Sequence, residues 1–112
     1  MCIRDSINPK GGFNIPHIHG ESIFSGVFYV KATEGNGKIN FTHPAVNIPY
    51  HLPALIIDQW SNLNSSNVFH YPQPGKLLLF PSWISHYVEP NLLDEERISI
   101  AFNLKLAYNE SV

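Results

Sequence analysis

His17 and His19 stand one residue apart, and His86 and then Arg97 follow far downstream. Of the side chains in this 112-residue chain, these are the ones whose types and order best suit chemistry. A His-x-His pair sets two imidazoles on one face of an extended strand, because side chains alternate with period two. A third His from a distant strand can close a three-point grip on one face of a metal, leaving the opposite positions open. The planar fork of an Arg binds a carboxylate in bidentate fashion, so Arg97 would suit a small carboxylate-bearing ligand. Each residue also has a bland reading. A lone His is ordinarily a surface or hydrogen-bonded residue, and His43, His51 and His70, all beside loop signals, are read that way. Arg97 follows Asp94, Glu95 and Glu96, and a turn-end Arg among acids is ordinarily a surface ion pair worth little. Against this, Arg97-Ile98-Ser99 places a guanidinium and a hydroxyl on one strand face, a ready clamp for a carboxylate. Tyr29 shares its strand face with Ser25 and Val27; its phenol is either a further donor or a packed ring with the hydroxyl at the rim.

The elements that would position these groups are strands. Pro and Gly are frequent, no stretch sustains a 3.6-residue apolar period, and short β-type runs alternate with turn signals. That pattern predicts an all-β sandwich or barrel. Strands are expected at residues 13–19, 23–31, 38–42, 68–71, 76–80, 86–89 and 96–106, with a further one at 55–60 inside the least patterned stretch. Glu34-Gly35-Asn36-Gly37 reads as a hairpin turn, Asn-Gly supplying positive φ, with 38–42 returning as the partner of 23–31. The last strand alternates cleanly. Ile98, Ile100, Phe102 and Leu104 share one face, and Arg97, Ser99, Ala101 and Asn103 share the other. The polar face must meet solvent or line a pocket.

One domain is the most this length supports. A formal net charge of −2 points to neither a nucleic-acid nor an anionic-membrane partner. No run reaches transmembrane length, and residues 1–10 lack the apolar stretch of a signal peptide, so a cytoplasmic protein is the default. The single cysteine, Cys2, excludes an intramolecular disulfide, and Asn64-Ser65-Ser66 fits the glycosylation pattern by chance if the chain is not secreted. Residues 1–6 show no period joining them to the rest and resemble translated sequencing-adapter sequence. The expectation is a non-native leader at 1–6, a core at 7–107 and a tail at 108–112, the core being the C-terminal part of a longer protein. On that reading an edge strand and part of a substrate wall are missing.

Four blocks taken in order carry a resemblance. They are Asn14-Ile-Pro-His17-Ile-His19, Ser25-Gly-Val-Phe-Tyr29-Val30, Pro74-Gly75-Lys-Leu-Leu-Leu-Phe80-Pro81-Ser-Trp83-Ile-Ser-His86-Tyr-Val-Glu-Pro90-Asn91 and Arg97-Ile-Ser99-Ile-Ala-Phe102-Asn103. Together they resemble a family of 2-oxoglutarate- and Fe(II)-dependent oxygenases with phage and marine bacterial members, related to prolyl hydroxylases. The resemblance runs from residue 7 to residue 106. It implies a double-stranded β-helix (a cupin-like jelly roll) and a hydroxylase that couples oxidative decarboxylation of 2-oxoglutarate to oxidation of an unnamed prime substrate by molecular oxygen. It implies His17 and His86 as iron ligands, Arg97 as partner of the distal carboxylate of 2-oxoglutarate, with Ser99 beside it, and Tyr29 as a further cosubstrate contact. His19 stands where the wider superfamily has Asp or Glu; a neutral imidazole in that place leaves the iron site one charge more positive. Glu21 is the nearest substitute carboxylate. Two rivals stay open: a cupin-type metalloenzyme using no 2-oxoglutarate, and a non-catalytic β-barrel binding or structural module. No Glu lies three or four residues beyond His19, where cupins place a ligand.

Overall fold

The computed structural model describes residues 2–18, 20–44 and 65–107, with the side chains of 2–4 and 17 excepted. The strands are β1 (Cys2–Asn8), β2 (Asn14–His17), β3 (Phe24–Lys31), β4 (Ile39–Thr42), β5 (Asn67–His70), β6 (Leu77–Pro81), β7 (His86–Val88) and β8 (Arg97–Leu104). They form two antiparallel four-stranded sheets, ordered β1-β8-β3-β6 and β2-β7-β4-β5. The chain changes sheet at every connection except that from β4 to β5. This crossing pattern is the double-stranded β-helix, the jelly roll expected from the sequence. The strand expected at 55–60 lies outside the described residues. No helix among the described residues is long and apolar enough to cross a membrane.

The alternation in β8 resolves in an unusual direction. Its polar face turns inward, with Arg97 at 2% and Ser99 at 5% exposure, and its apolar face turns outward. The register carries that outer face across the sheet: Ile7 lies opposite Ile98, Leu104 opposite Phe24, Ile100 opposite Phe28, and Phe28 opposite Leu77. Gly26 sits in the middle of it because a Cβ there would run into the Phe102 ring. Among the described residues the buried apolar side chains are Tyr29, Ala32, Ile39, Pro72 and Phe80, whereas the buried polar set includes Asn8, Ser25, Asn36, Ser82, His86, Asn91 and Arg97. An interior this polar must be hydrogen-bonded throughout, and no fully buried side-chain N or O among the described residues lacks a partner. The space between the sheets is therefore built as a site.

One local expectation changes. Residues 34–37 do not make a hairpin, since β3 and β4 belong to different sheets. Glu34–Asn36 form a short 3-10 turn and only Gly37 takes positive φ, 96°. The Asn36 side chain is drawn into the interior, where its Nδ2 donates to Asn91 Oδ1 and to the Glu95 carbonyl, both at 3.0 Å; these long-range contacts override the turn preference of Asn-Gly. In the first sheet β1 pairs with β8 from Cys2 opposite Asn103 to Asn8 opposite Arg97.

Gly37 gives a stability prediction. Its φ favours glycine, and a Cβ would collide with the Glu89 carbonyl oxygen. Gly37→Ala is expected to cost more than about 2 kcal/mol, the left-handed penalty plus a clash with backbone that cannot swing aside. A fall in unfolding free energy of less than about 0.5 kcal/mol would mean that the crossover relaxes around it.

Candidate active site

A cavity of about 270 Å³ lies between the sheets, with Tyr29, Arg97 and Ser99 on one wall and Ile39, His86 and Val88 on the other. Three of the residues singled out by sequence for one ligand, Tyr29, Arg97 and Ser99, thus line one cavity, together with one of the three histidines. Tyr29 and Ser99 are direct partners in the β3–β8 ladder, where a register shift between Tyr29 and Lys31 follows. Such bulges re-aim side chains locally.

Arg97 opens β8 and is almost wholly buried. Its Nη1 donates to the carbonyls of Asn36 at 2.9 Å and Gly37 at 3.1 Å. No described carboxylate pairs with it: Asp94 pairs with Lys10 at 3.1 Å, and Glu95 accepts from Thr33 Oγ1 at 3.0 Å. The surface ion-pair reading of Arg97 is thereby set aside. Burial pulls the guanidinium down from its usual range, with attraction to the Tyr29 phenolate opposing the shift. Burial pushes the Tyr29 phenol up, with Arg97 again opposing. A buried cation without a protein counter-anion is costly, and the geometry of a guanidinium suits an anionic ligand.

The Tyr29 shift yields a pH prediction. A phenol whose folded value lies above 10.0 stays protonated in the folded chain while the unfolded chain ionises. Its contribution is fully present below pH 10.0 and is lost as pH rises through the folded value. Tyr29→Phe is expected to flatten this alkaline decline in unfolding free energy. An identical slope above pH 10 in both proteins would assign the decline to other groups.

His86 opens β7 and is 4% exposed. Its ring meets Phe80 edge-on, centroids 4.8 Å apart. Its Nδ1–H donates to the Ile84 carbonyl at 3.0 Å, so that in the neutral ring the lone pair is on Nε2. Backbone anchoring of one ring nitrogen is the usual way a metal-ligating imidazole is held, so His86 has the chemistry of a ligand. The β2–β7 register sets the backbone of His17 directly opposite His86, after a shift that absorbs Pro16. Pro cannot donate to a ladder, so a bulge is its natural place. The strand reaches only to His17, short of the expected 13–19, and His19 and the His17 side chain lie outside the described residues. Among the described residues no three metal-binding side chains gather. Glu21 lies at the surface beside Lys105, 3.6 Å away, and is not a substitute ligand there. His70 packs edge-on against Phe41; burial first, then Lys76, lowers its pKa below the ordinary range. His51 lies outside the described residues.

Sequence reasoning passed over two polar clusters. At the His86 end, Ser25 Oγ–H donates to Asn103 Oδ1 at 2.6 Å, so the 2.8 Å contact with the fully buried Ser82 is a donation from Ser82. The β8 alternation had already put Asn103 on the Arg97 face. At the other end, Asn36 and Asn91 lie behind Arg97, and no local pattern marks them.

The family described as "Putative 2OG-Fe(II) oxygenase" matches residues 6–103. No curated protein sequence matches the chain. Among solved structures, the fold is similar to a prolyl-4-hydroxylase of Pseudomonas putida, at 18% identity and a TM-score of 0.60 over 92% of this chain and 51% of that one. It is also similar to the non-heme alpha ketoglutarate dependent epimerase SnoN from nogalamycin biosynthesis, at 13% identity and a TM-score of 0.62 over 88% of this chain and 45% of that one. A third is a ThoJ-Ni complex, a non-heme monooxygenase, at 16% identity and a TM-score of 0.61 over 90% of this chain and 41% of that one. The chain thus spans about half the length of the structures it resembles.

Proposed function

Because the chain belongs to the 2-oxoglutarate- and Fe(II)-dependent oxygenase family, we propose that its cavity binds 2-oxoglutarate beside Fe(II) and serves hydroxylation of a prime substrate in the cytoplasm. The observation that carries this reading is Arg97, buried in the cavity without a described carboxylate partner and accompanied there by Tyr29 and Ser99. Arg97 binds the distal carboxylate, and the hydroxyls of Tyr29 and Ser99 orient it by donating to its oxygens. His17 and His86, opposite each other on paired strands, hold Fe(II) with His19 as the third donor. Neutral imidazole is a competent iron ligand, and the His86 tautomer offers Nε2 for that role. Bound Fe(II) supplies oxygen activation, which protein side chains alone cannot. The walls exclude water and fix the cosubstrate so that its carboxylate end stays at Arg97.

The test is succinate formation from 2-oxoglutarate by the purified chain with and without Fe(II). Iron-dependent succinate release is expected. Metal binding with no turnover of 2-oxoglutarate would favour the non-catalytic module, and oxidation of a substrate without 2-oxoglutarate would favour the cupin-type metalloenzyme.

A further inference from the structure

Behind Arg97, three chain segments far apart in sequence meet through two buried side-chain amides. Asn36 is wholly buried and Asn91 is 1% exposed. Asn36 Nδ2 donates to Asn91 Oδ1 and to the Glu95 carbonyl, both at 3.0 Å. Asn91 Nδ2 donates to the Asn8 carbonyl at 3.1 Å and the Glu95 carbonyl at 2.7 Å, and its Oδ1 also accepts the Leu93 N–H at 3.0 Å. Every amide N–H of the pair is therefore used, and both oxygens accept. The same segment ends in the two carbonyls, of Asn36 and Gly37, that receive Arg97 Nη1. Those carbonyls engage one nitrogen of the guanidinium and so restrict its rotation. A fully satisfied buried network is rigid and resists rotation of what it holds.

We propose that Asn36 and Asn91 form one positioning unit that presents the Arg97 guanidinium to a carboxylate ligand. The proposal rests on the reading of the cavity as the 2-oxoglutarate site. Neither Asn is a catalytic residue, because both act through Arg97. The expected signature is a loss of 2-oxoglutarate affinity confined to proteins that still carry Arg97, with the metal end untouched.

A double-mutant cycle reads this directly. The Kd for 2-oxoglutarate is measured by anaerobic calorimetry on the Fe(II)-loaded chain for wild type, Asn91→Ala, Arg97→Ala and the double variant, with Fe(II) affinity and thermal midpoint recorded for each. Asn91→Ala is expected to weaken 2-oxoglutarate about tenfold, within the range of coupling between residues that share a network. Its Fe(II) affinity should be unchanged, and it should produce no further loss once Arg97 is absent. Asn91→Asp keeps the volume and both acceptor contacts but loses the amide donors; it stands in if Asn91→Ala does not fold, with the same cycle expected. An equal loss in both Arg97 backgrounds, or unchanged affinity in Asn91→Ala, would overturn the positioning role while leaving the cosubstrate site intact. Unchanged affinity in Arg97→Ala, or no binding to wild type, would overturn the cosubstrate reading and this inference with it.

Discussion

Arg97→Ala is expected to raise the Kd for 2-oxoglutarate at least about thirtyfold while leaving Fe(II) affinity within twofold of wild type. Truncating one partner of a buried, hydrogen-bonded charge pair costs roughly 2–5 kcal/mol, and each 1.4 kcal/mol is a factor of ten. Arg97→Lys keeps the charge but loses the fork that meets both carboxylate oxygens, so its loss should be smaller, about tenfold. The same residue predicts an opposite change in the ligand-free protein. Its guanidinium is buried with two backbone carbonyls and no described carboxylate for company. Arg97→Met, similar in length and apolar, is expected to leave the thermal midpoint unchanged or raised, because it removes an uncompensated desolvation cost. Saturating 2-oxoglutarate should then stabilise the Fe(II)-loaded wild type by mass action and leave Arg97→Met unmoved. Equal affinity across wild type, Arg97→Lys and Arg97→Ala would remove 2-oxoglutarate from the account of this cavity and make the cupin-type enzyme the better one.

His86→Ala carries the other large effect, a loss of Fe(II) affinity of more than about a hundredfold. Disturbing only the hydrogen-bond partner of a ligand already costs roughly ten- to a hundredfold, so removal of the ligand itself must cost more. His17→Ala is expected to match it, since His17 stands opposite His86 in the ladder. His19→Asp should retain iron, as both carboxylate and neutral imidazole ligate this metal. Iron titration of the variants decides each role. Full Fe(II) affinity in His86→Ala would sink the metal assignment for the whole cavity, whereas full affinity in His19→Ala would remove only that residue from the ligand set.

His86, Phe80 and Arg97 also illustrate how far the sequence reached. Strand positions followed from β-branched and aromatic runs bounded by Pro and Gly, because those are local preferences of the backbone. β3, β6 and β8 fall within a residue or two of where the pattern put them. That Tyr29 shares a face with Ser25, and Ser99 with Arg97, was likewise legible, because period-two alternation fixes which residues share a face. Alternation says nothing of which face is inside. In β8 the apolar residues turned outward, because the interior had to hold Arg97 and Ser99 against a cavity. The expectation of a carboxylate ligand at Arg97 pointed inward, and the tertiary structure places Arg97 and Ser99 there.

Tertiary structure decided the fate of residues 34–37. Asn-Gly is a sound local signal for a hairpin, yet the next strand pairs in the other sheet. Asn36 instead bonds with Asn91, fifty-five residues away, and Asn91 with Asn8, eighty-three away. Contacts of that separation leave no trace in any window of sequence. The sequence by itself determined which strands form and which side chains can do chemistry together. Only the closing of one sheet over the other determined that the Arg97 guanidinium would be buried, bonded to the Asn36 and Gly37 carbonyls and backed by amides from distant segments, because burial and its compensation are properties of the assembled fold.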